Sequence, residues 1–349
     1  MLVERARAQV AELVGCLPAL LVFSASATEA AAMAAAQKAR HGGVFAALPT
    51  EHDSLLVWSE AALRSMFGRN GHLSPQGASA FLGFLTQDRS GRDLKSEEDV
   101  ALVAMSAANS ETGVMAANLE VPGCGRASTT VRGDMPYAVV ADITQVAGKV
   151  PVLFGERKPS YMILSAHKMG GPKGVGAFIN LTRDDPLPIL RGGGQEQNRR
   201  SGTENIIGIA GYGAAADAAK RDVDSGAWEK IAQFRSILEN GIAAASNRTI
   251  FVGNEANRLP NTSCMITPGW KGETQVMQMD LAGFAISAGS ACSSGKVKAS
   301  TVLQAMGYDE TEASSAIRVS RGLDTTEEDV LRFVDAWSAK YVKYAQRAA

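Results

Sequence analysis

Short apolar runs typical of β-strands recur through the first half of the chain, and they constrain its fold more than any other feature. The runs occupy residues 19–23, 44–48, 100–105, 138–141, 161–164 and 175–179. Because they are near-continuous rather than alternating, they predict strands buried on both faces of a sheet. Helical segments such as the alanine-rich stretch 29–40 separate several of them. This alternation predicts an α/β fold with a doubly wound, mostly parallel sheet, whose ligands bind at the carboxyl ends of the strands.

The pattern changes near residue 222. Apolar residues then recur at the spacing of an amphipathic helix: Trp228, Ile231, Phe234, Ile237, Leu238 and Ile242. Near the end of the chain, Thr325 and Glu328 predict a capping box that opens a last helix. Two short strand-like runs lie between these helices. The sequence therefore predicts a large domain over residues 1–222 and a smaller α+β domain over residues 223–349.

The composition is that of an ordinary globular protein, and it argues against several functions. The chain has 349 residues and a net charge of −1, which gives no electrostatic reason to expect nucleic acid as a partner. The cysteines form neither a zinc-ligand pattern nor a disulfide framework; they are Cys16, Cys124, Cys264 and Cys292. Unpaired thiols favour the reducing cytoplasm, and Glu4 and Glu12 argue against a secretory signal. We expect no metal and no membrane-spanning segment.

Polar residues at two of the strand ends suggest contacts with a ligand. Ala27 and Thr28 follow the first strand and open a helix, where free backbone N–H groups and the helix dipole favour a phosphate. Thr28 could equally be an ordinary helix N-cap. Asp142 follows the fourth strand, with Gln145 one helical turn further on. A buried carboxylate there needs a cationic partner such as a pyridinium nitrogen, although Asp142 could also be a helix cap.

A lysine follows the next strand. Lys168 stands just after the run 161–164 and before the glycine-rich segment 170–174. A strand-end lysine near a strand-end aspartate is the pattern required for a covalently bound pyridoxal phosphate (PLP). The alternative is an exposed lysine before a glycine turn. The glycine spacing in 171–176 is weak evidence for a dinucleotide, because it lies late in the chain and the order of its glycines is wrong.

One cysteine lies in a run of small residues. Cys292 is flanked by serine, alanine and glycine over residues 289–295. A free cysteine is more often a buried structural residue. Here the flanking residues favour exposure in a mobile loop, and an exposed thiol is usually a reactive one.

Several segments together resemble one family. They are SATEA (26–30), TEHDS (50–54), NSETG (109–113), ADITQVAGKVP (141–151), SAHKMGGPKGVGA (165–177), RSGTEN (200–205), SAGSACSSG (287–295) and AIRVSRG (316–322). In their order and spacing they are similar to motifs of the cysteine desulfurases of the class V aminotransferase group, in the branch that serves iron–sulfur cluster assembly. The resemblance implies the fold type I of PLP-dependent transferases and a homodimer with shared active sites.

The resemblance also implies a role for each site residue. It places PLP covalently on Lys168, with Asp142 at the ring nitrogen, Gln145 at the phenolic oxygen and Asn109 near the cofactor oxygen and the substrate. It makes His52 a catalytic residue that stacks on the ring and shuttles protons. It gives phosphate contacts to Ala27, Thr28, Ser165 and His167, and to Thr203 of the partner subunit. Arg318 would bind the substrate carboxylate. Cys292 would take the sulfur of L-cysteine as a persulfide, releasing L-alanine. A sulfur acceptor or iron–sulfur scaffold protein would then remove that sulfur.

The chain also departs from the family pattern. The sequence contains no segment similar to the family's N-terminal one. Ser26 stands where the family usually has a glycine, and Gln197-Asn198 replaces an Arg-Gly pair. On this basis we expect the chain to bind PLP but to turn over cysteine poorly. Alternative functions are another class V reaction, such as selenocysteine cleavage or transamination, and a truncated non-catalytic paralogue that acts as a dimer or scaffold partner.

Overall fold

The computed structural model describes residues 2–60, 67–72, 74, 77, 100–116, 137–154, 158–182, 184–289 and 299–348. The chain divides into two compact units. The first unit comprises Met1–Met66, Leu73–Ala108 and Ala116–Ser225, and the second comprises Phe67–His72, Asn109–Met115 and Gly226–Ala349. The second unit thus takes two short segments from the first half of the chain. The domain boundary at residue 222 stays a prediction.

The first unit is built on a six-stranded sheet. Its strands are β1 (Leu21–Ser24), β2 (Gly42–Ala47), β3 (Val100–Ser106), β4 (Tyr137–Asp142), β5 (Tyr161–Ser165) and β6 (Gly176–Asn180). Their order is β1-β6-β5-β4-β3-β2. The pairs from β2 to β5 are parallel, and β6 runs antiparallel to both of its neighbours. Each predicted apolar run forms a strand, so the prediction of a mostly parallel α/β sheet is confirmed.

Helices cover this sheet. They are α1 (Leu2–Val14), α2 (Ala27–Ala36), α3 (Lys38–His41), α4 (Asp53–Leu56) and α5 (Ile206–Asp224). The buried alanines of α2 bring that helix close to Val22, Val140 and Phe178 of the sheet, in one apolar cluster. Helix α1 packs along α5. Gly213 permits this approach, because a Cβ there would lie 2.5 Å from the Cα of Ala6.

The second unit combines a small antiparallel sheet with helices. Its strands are β7 (Ile250–Phe251), β8 (Thr262–Ile266) and β9 (Ala316–Ser320). Its helices are α6 (Ala227–Ala245), α7 (Gly272–Asp280), α8 (Thr301–Ala305), α9 (Glu310–Ser314) and α10 (Glu327–Ala348). The amphipathic helix predicted from Trp228 to Ile242 is α6, and its apolar face packs with Val330, Phe333 and Trp337 of α10. In the part of the chain that the structure describes, no helix is long and apolar enough to cross a membrane.

The predicted capping box of the last helix is wrong by one residue. The backbone N–H of Thr326 donates to Asp329 Oδ2 at 3.0 Å, and the N–H of Asp329 donates to Thr326 Oγ1 at 3.1 Å. The hydroxyl of Thr325 instead accepts the N–H of Gly322, which closes the preceding turn. Thr326 and Asp329 therefore cap α10, rather than Thr325 and Glu328, because an aspartate also reaches back to the cap.

Candidate active site

The predicted residues of the first unit follow strands that end at one edge of the sheet. Strands β1 to β5 run parallel to one another, so their carboxyl ends meet there, and β6 begins at the same edge. The register places Ser106 beside Asp142, and Gly176 beside both Ser24 and Ser165. In doubly wound sheets this edge is where ligands bind. The fold thus brings these predicted residues to one edge: Ala27, Thr28, His52, Asp142, Gln145, Ser165, His167 and Lys168.

Two reciprocal hydrogen bonds shape the turn between β1 and α2. Ser26 caps α2, since its hydroxyl accepts the N–H of Glu29 at 3.1 Å, while the Glu29 carboxylate accepts the N–H of Ala25 at 2.6 Å. Thr28 lies inside the first helical turn with an exposed side chain, so its interpretation as the N-cap is wrong. Gly176 permits this turn to lie close against β6, because a Cβ there would be 2.6 Å from the carbonyl carbon of Ser26.

Asp142 is a buried carboxyl group at the end of β4. Its Oδ1 accepts the N–H of Thr144 at 2.8 Å, which closes a turn rather than opening a helix, so the interpretation as a helix cap is wrong. Burial raises the pKa of Asp142, and the bond from Thr144 and the positive charges of His52 and Lys168 oppose that rise. A carboxylate in this position is stabilised by a further cationic hydrogen-bond donor.

Lys168 lies on a single turn of 3-10 helix, Ala166–Met169, directly after β5. Its side chain is exposed, as is that of His167. The hydroxyl of Ser165 lies 2.8 Å from His167 Nδ1, which orients the imidazole. Desolvation and the charges of Lys168 and Lys173 lower the pKa of His167. The lowered pKa favours the neutral form of the imidazole beside the lysine.

A buried glutamate that the sequence interpretation missed stands next to His52. Glu51 accepts a hydrogen bond from the hydroxyl of Ser106. Burial raises the pKa of Glu51 to about 8, and the charge of Asp142 adds to the rise. His52 itself is exposed, and its Nδ1 accepts the N–H of Ser54 at 3.1 Å, so the side chain caps α4. The only sequence signal for Glu51 was its place inside the segment TEHDS.

The sequence interpretation also missed Lys149. This lysine is buried, and its Nζ donates to the carbonyl oxygens of Gln145 at 2.9 Å and Lys168 at 3.2 Å. Burial lowers the pKa of Lys149 to about 8, and the nearby charge of Lys168 lowers it further. The residue follows the glycine of the segment ADITQVAGKVP, and nothing in its apolar pattern marked it as buried.

Thr203 lines a cavity of the first unit. Its neighbours in the lining include Ala25, Gly174, Arg200 and Asn205. Arg200 donates to Glu29 at 2.8 Å, so the segment that carries Thr203 is tied to the first turn of α2. The hydroxyl of Thr203 is exposed. Its predicted contact with the partner's phosphate stays a prediction.

The segment before Thr203 adopts an unusual backbone. Residues Glu196, Gln197 and Asn198 have φ values of 48°, 58° and 65°. Asn198 replaces the family's glycine here, and asparagine is one of the few residues that adopt this left-handed conformation readily. Glu196 is buried and forms an ion pair of 2.7 Å with the equally buried Arg7 of α1. This pair holds the segment in place.

The second unit holds Asn109 and Arg318. The Oδ1 of Asn109 accepts the N–H groups of Glu111 and Thr112, each at 2.9 Å, which shapes the turn 109–113. Arg318 on β9 donates to the carbonyl of Ser110 at 2.7 Å, so the two predicted residues lie on neighbouring segments. Its Nε is buried and has no hydrogen-bond partner among the described residues. Cys292 and its loop lie outside the described residues.

The chain matches the family model described as aminotransferase class-V over residues 1–333. It is 37% identical to a cysteine desulfurase of Frankia sp. (strain EuIK1), over 96% of this chain and 80% of that protein. It is 34% identical to the cysteine desulfurase IscS of Anaeromyxobacter sp. (strain Fw109-5), over 94% of this chain and 78% of that protein. A match at 40% identity to a cysteine desulfurase of Cereibacter sphaeroides covers 68% of this chain but only 58% of that protein.

Solved structures agree with these relatives. A NifS-like protein from Rickettsia africae superposes with a TM-score of 0.80 at 25% identity, over 97% of this chain and 88% of that one. The chain therefore belongs to the aminotransferase class-V family. That family is PLP-dependent.

Proposed function

We propose that this chain is a PLP-dependent cysteine desulfurase, which converts L-cysteine to L-alanine and keeps the sulfur as a persulfide on Cys292. One observation carries the proposal. Lys168, exposed just after β5, stands within electrostatic reach of Asp142, a buried carboxyl group at the end of the neighbouring strand β4. The cysteine desulfurases among its relatives and the match to the family model support the proposal.

The residues at this edge fit PLP. A pyridinium N–H is the cationic donor that the buried carboxyl group of Asp142 needs. The N-terminus of α2 and the exposed Thr28 suit a phosphate, and Lys168 presents an amine that can hold the cofactor covalently. When bound, PLP supplies an electron-withdrawing ring that stabilises negative charge on the substrate carbon.

The other contacts of the first unit follow from the same placement. Ser165 and His167 would complete the phosphate contacts with Ala27 and Thr28, and Gln145 would donate to the phenolic oxygen. His52 would cover the face of the ring. In the assembled homodimer, Thr203 of the partner subunit would add a phosphate contact. The position of Ala27, Thr28, His52, Gln145, Ser165 and His167 at the edge of the sheet supports their assignments. The cavity that Thr203 lines supports the assignment of Thr203.

Each step of the proposed reaction is carried out by a different residue of this chain. Arg318 binds the substrate carboxylate as a bidentate partner, with Asn109 beside it. Lys168 moves a proton to and from the substrate. The thiolate of Cys292 attacks the substrate sulfur, so an S–S bond forms as the C–S bond breaks and the carbon gains a proton. No outside oxidant is needed, because the sulfur is oxidised as the carbon is reduced. A sulfur acceptor or iron–sulfur scaffold protein would then remove the persulfide.

The first test identifies the cofactor lysine. The protein loaded with PLP is reduced with borohydride and digested, and the labelled peptide is mapped. We expect the label on Lys168, and we expect Lys168→Ala to abolish formation of alanine from L-cysteine. A label on Lys149 or Lys173 would contradict the assignment. Formation of a keto acid in place of alanine would favour a transaminase.

The second test separates cofactor binding from sulfur transfer. Cys292→Ser is expected to retain the cofactor spectrum and to change that spectrum on addition of L-cysteine, yet to form no persulfide, because a hydroxyl is a poor nucleophile toward sulfur. Cys264→Ser is the matched control, since Cys264 is buried and burial raises its pKa to about 12. A persulfide trapped on Cys16, Cys124 or Cys264 would show that the thiol was assigned wrongly.

A further inference from the structure

One ammonium group joins the two turns that carry the proposed cofactor residues. Lys149 Nζ donates to the carbonyl of Gln145, in the turn after β4, at 2.9 Å. The same atom donates to the carbonyl of Lys168, in the turn after β5, at 3.2 Å. The first turn directly follows Asp142 and bears Gln145, and the second bears Lys168 itself. The two turns are therefore bonded through a single side chain.

The backbone around Lys149 is built for this contact. Gly148, the residue before it, has a φ of +77°, which favours glycine. A Cβ at Gly148 would lie 2.8 Å from the Cβ of Ala219 on α5 and 3.2 Å from that of Met169, the neighbour of Lys168. The turn is thus pressed against both α5 and the segment of Lys168. Little space is left for either turn to move while Lys149 holds both carbonyls.

Burial of a charged lysine in this position costs free energy of folding. Lys149 is only 8% exposed, and among the described residues no carboxylate forms an ion pair with it. The charged group that acts on its pKa is Lys168, which repels it. A buried ammonium without a counter-ion is unfavourable, and an apolar side chain of similar length would avoid that cost. The two carbonyl bonds are the contacts that offset it.

We propose that Lys149 is a positioning residue, which fixes the backbone of Lys168 relative to the turn of Asp142 and Gln145. The proposal rests on the function given above, in which Lys168 holds the cofactor. Lys168 and the residues of the other turn must then act on one rigid group. A relative shift of the two turns by about 1 Å is expected to lower turnover by roughly 100-fold, because reacting groups act only within a narrow geometry.

The test compares three variants of the PLP-loaded protein. Lys149→Met removes both donors, Lys149→Arg keeps a charge and donors, and Lys343→Met removes an exposed lysine of α10, in the second unit. For Lys149→Met we expect kcat to fall by about 10- to 100-fold with a KM for L-cysteine within about 2-fold of the original. The cofactor should also dissociate faster, and the pH midpoint of its absorbance band should shift. Lys149→Arg should recover most of kcat, and Lys343→Met should match the unaltered protein.

A second measurement does not depend on turnover. Amide hydrogen exchange of the segments 143–149 and 166–171 reports how firmly the two turns are held. We expect faster exchange in both segments of Lys149→Met and no change in α6, in the second unit. If Lys149→Met does not fold, Lys149→Gln replaces it, since a glutamine is neutral, shorter and still a donor.

The outcomes separate this inference from the proposed function. Exchange and kcat unchanged in a folded Lys149→Met protein would overturn the positioning role and leave the desulfurase proposal intact. If the unaltered protein forms no alanine from L-cysteine, the proposed function fails, while the exchange comparison still decides whether Lys149 joins the turns. A loss of kcat that Lys149→Arg does not recover, with exchange unchanged, would also count against the proposal.

Discussion

Two buried carboxyl groups lie near each other at the carboxyl edge of the large sheet. Asp142 ends β4, and Glu51 bonds to Ser106, which is the register partner of Asp142 on β3. Burial raises the pKa of both groups. A proton held by Glu51 at neutral pH removes one of the two negative charges. The edge can then carry the charge of Asp142 opposite a cationic ligand.

The raised pKa of Glu51 makes the free energy of unfolding depend on pH. Its pKa is about 8 in the folded chain, above the ordinary value of 4.5. Its protonated form is thus favoured by folding, so the contribution is complete below the ordinary pKa and is lost as pH rises toward the folded pKa. Glu51→Gln should therefore gain stability relative to the unaltered protein as pH rises from about 4.5 to about 8. Urea unfolding of both proteins across that range measures the difference, and a constant difference would refute the assignment.

At the residue level, the sequence predicted the residues that directly follow strands better than the buried charged residues beside them. Lys168 and Asp142 could be predicted because each directly follows an apolar run. Glu51 and Lys149 could not, since a buried charged side chain carries no apolar periodicity that marks it. Glu51 contacts Ser106, which lies 55 residues further along the chain, and Lys149 contacts the carbonyl of Lys168, which lies 19 residues further along.

At the level of elements, the buried ion pair of Arg7 and Glu196 bonds to the edge of β1 where a further strand would otherwise pair. Strand β1 stands at the edge of the sheet. The carbonyl of Leu21 accepts from Arg7 at 2.8 Å, and the N–H of Phe23 donates to Glu196 at 2.9 Å. These bonds occupy backbone groups of β1 that would otherwise be free to pair with another chain. The pair also ties α1 to the left-handed segment 196–198.

Removal of one partner of the Arg7–Glu196 pair should strongly destabilise the folded chain. Glu196→Ala leaves the guanidinium of Arg7 buried without its carboxylate and the N–H of Phe23 without an acceptor. We expect a loss of about 3 to 5 kcal/mol in the free energy of unfolding. Arg221→Ala, which breaks an exposed pair with Asp217, should change it by about 0.5 kcal/mol or less. Equal effects in urea unfolding would show that burial of the pair does not matter.

The corrected helix cap gives a smaller effect. Thr326→Ala removes the hydroxyl that accepts the N–H of Asp329 at the start of α10. The expected loss is about 1 kcal/mol, the usual value for a threonine cap. Glu328→Ala serves as the control, because Glu328 is exposed and is the residue of the rejected capping box; it should change stability by no more than about 0.5 kcal/mol. A larger effect of Glu328→Ala would restore the original interpretation.

The six strands of the large sheet could be predicted because strands that are buried on both faces consist of long apolar runs. Element ends were less certain: Thr325 and Thr326 have the same side chain, and only the contacts with Gly322 and Asp329 distinguish them. The left-handed segment 196–198 could not be predicted, since it depends on the ion pair of Glu196 with a helix at the other end of the sequence.

At the scale of the whole molecule, the proposed contact of Thr203 with the partner's phosphate predicts a homodimer. If the partner's Thr203 completes each cofactor site, PLP retention should depend on association. We expect a dimer in sedimentation, and we expect Thr203→Ala to weaken PLP binding by about 1 kcal/mol, the value of one hydrogen bond. A monomer that holds one PLP per chain as firmly as the dimer would contradict this.

The order of the strands in the sheet also determines when β1 can pair during synthesis of the chain. In the sheet as described, β1 is bonded to β6 alone, and β6 ends at Asn180. A ribosome adds about 5 to 20 residues per second, so β1 emerges roughly 10 to 30 seconds before its partner. The Glu196 carboxylate that covers the other side of β1 is synthesised later still. During translation the apolar strand β1 therefore stays unpaired, and nascent chains that end before about residue 200 should be the ones that depend on a chaperone.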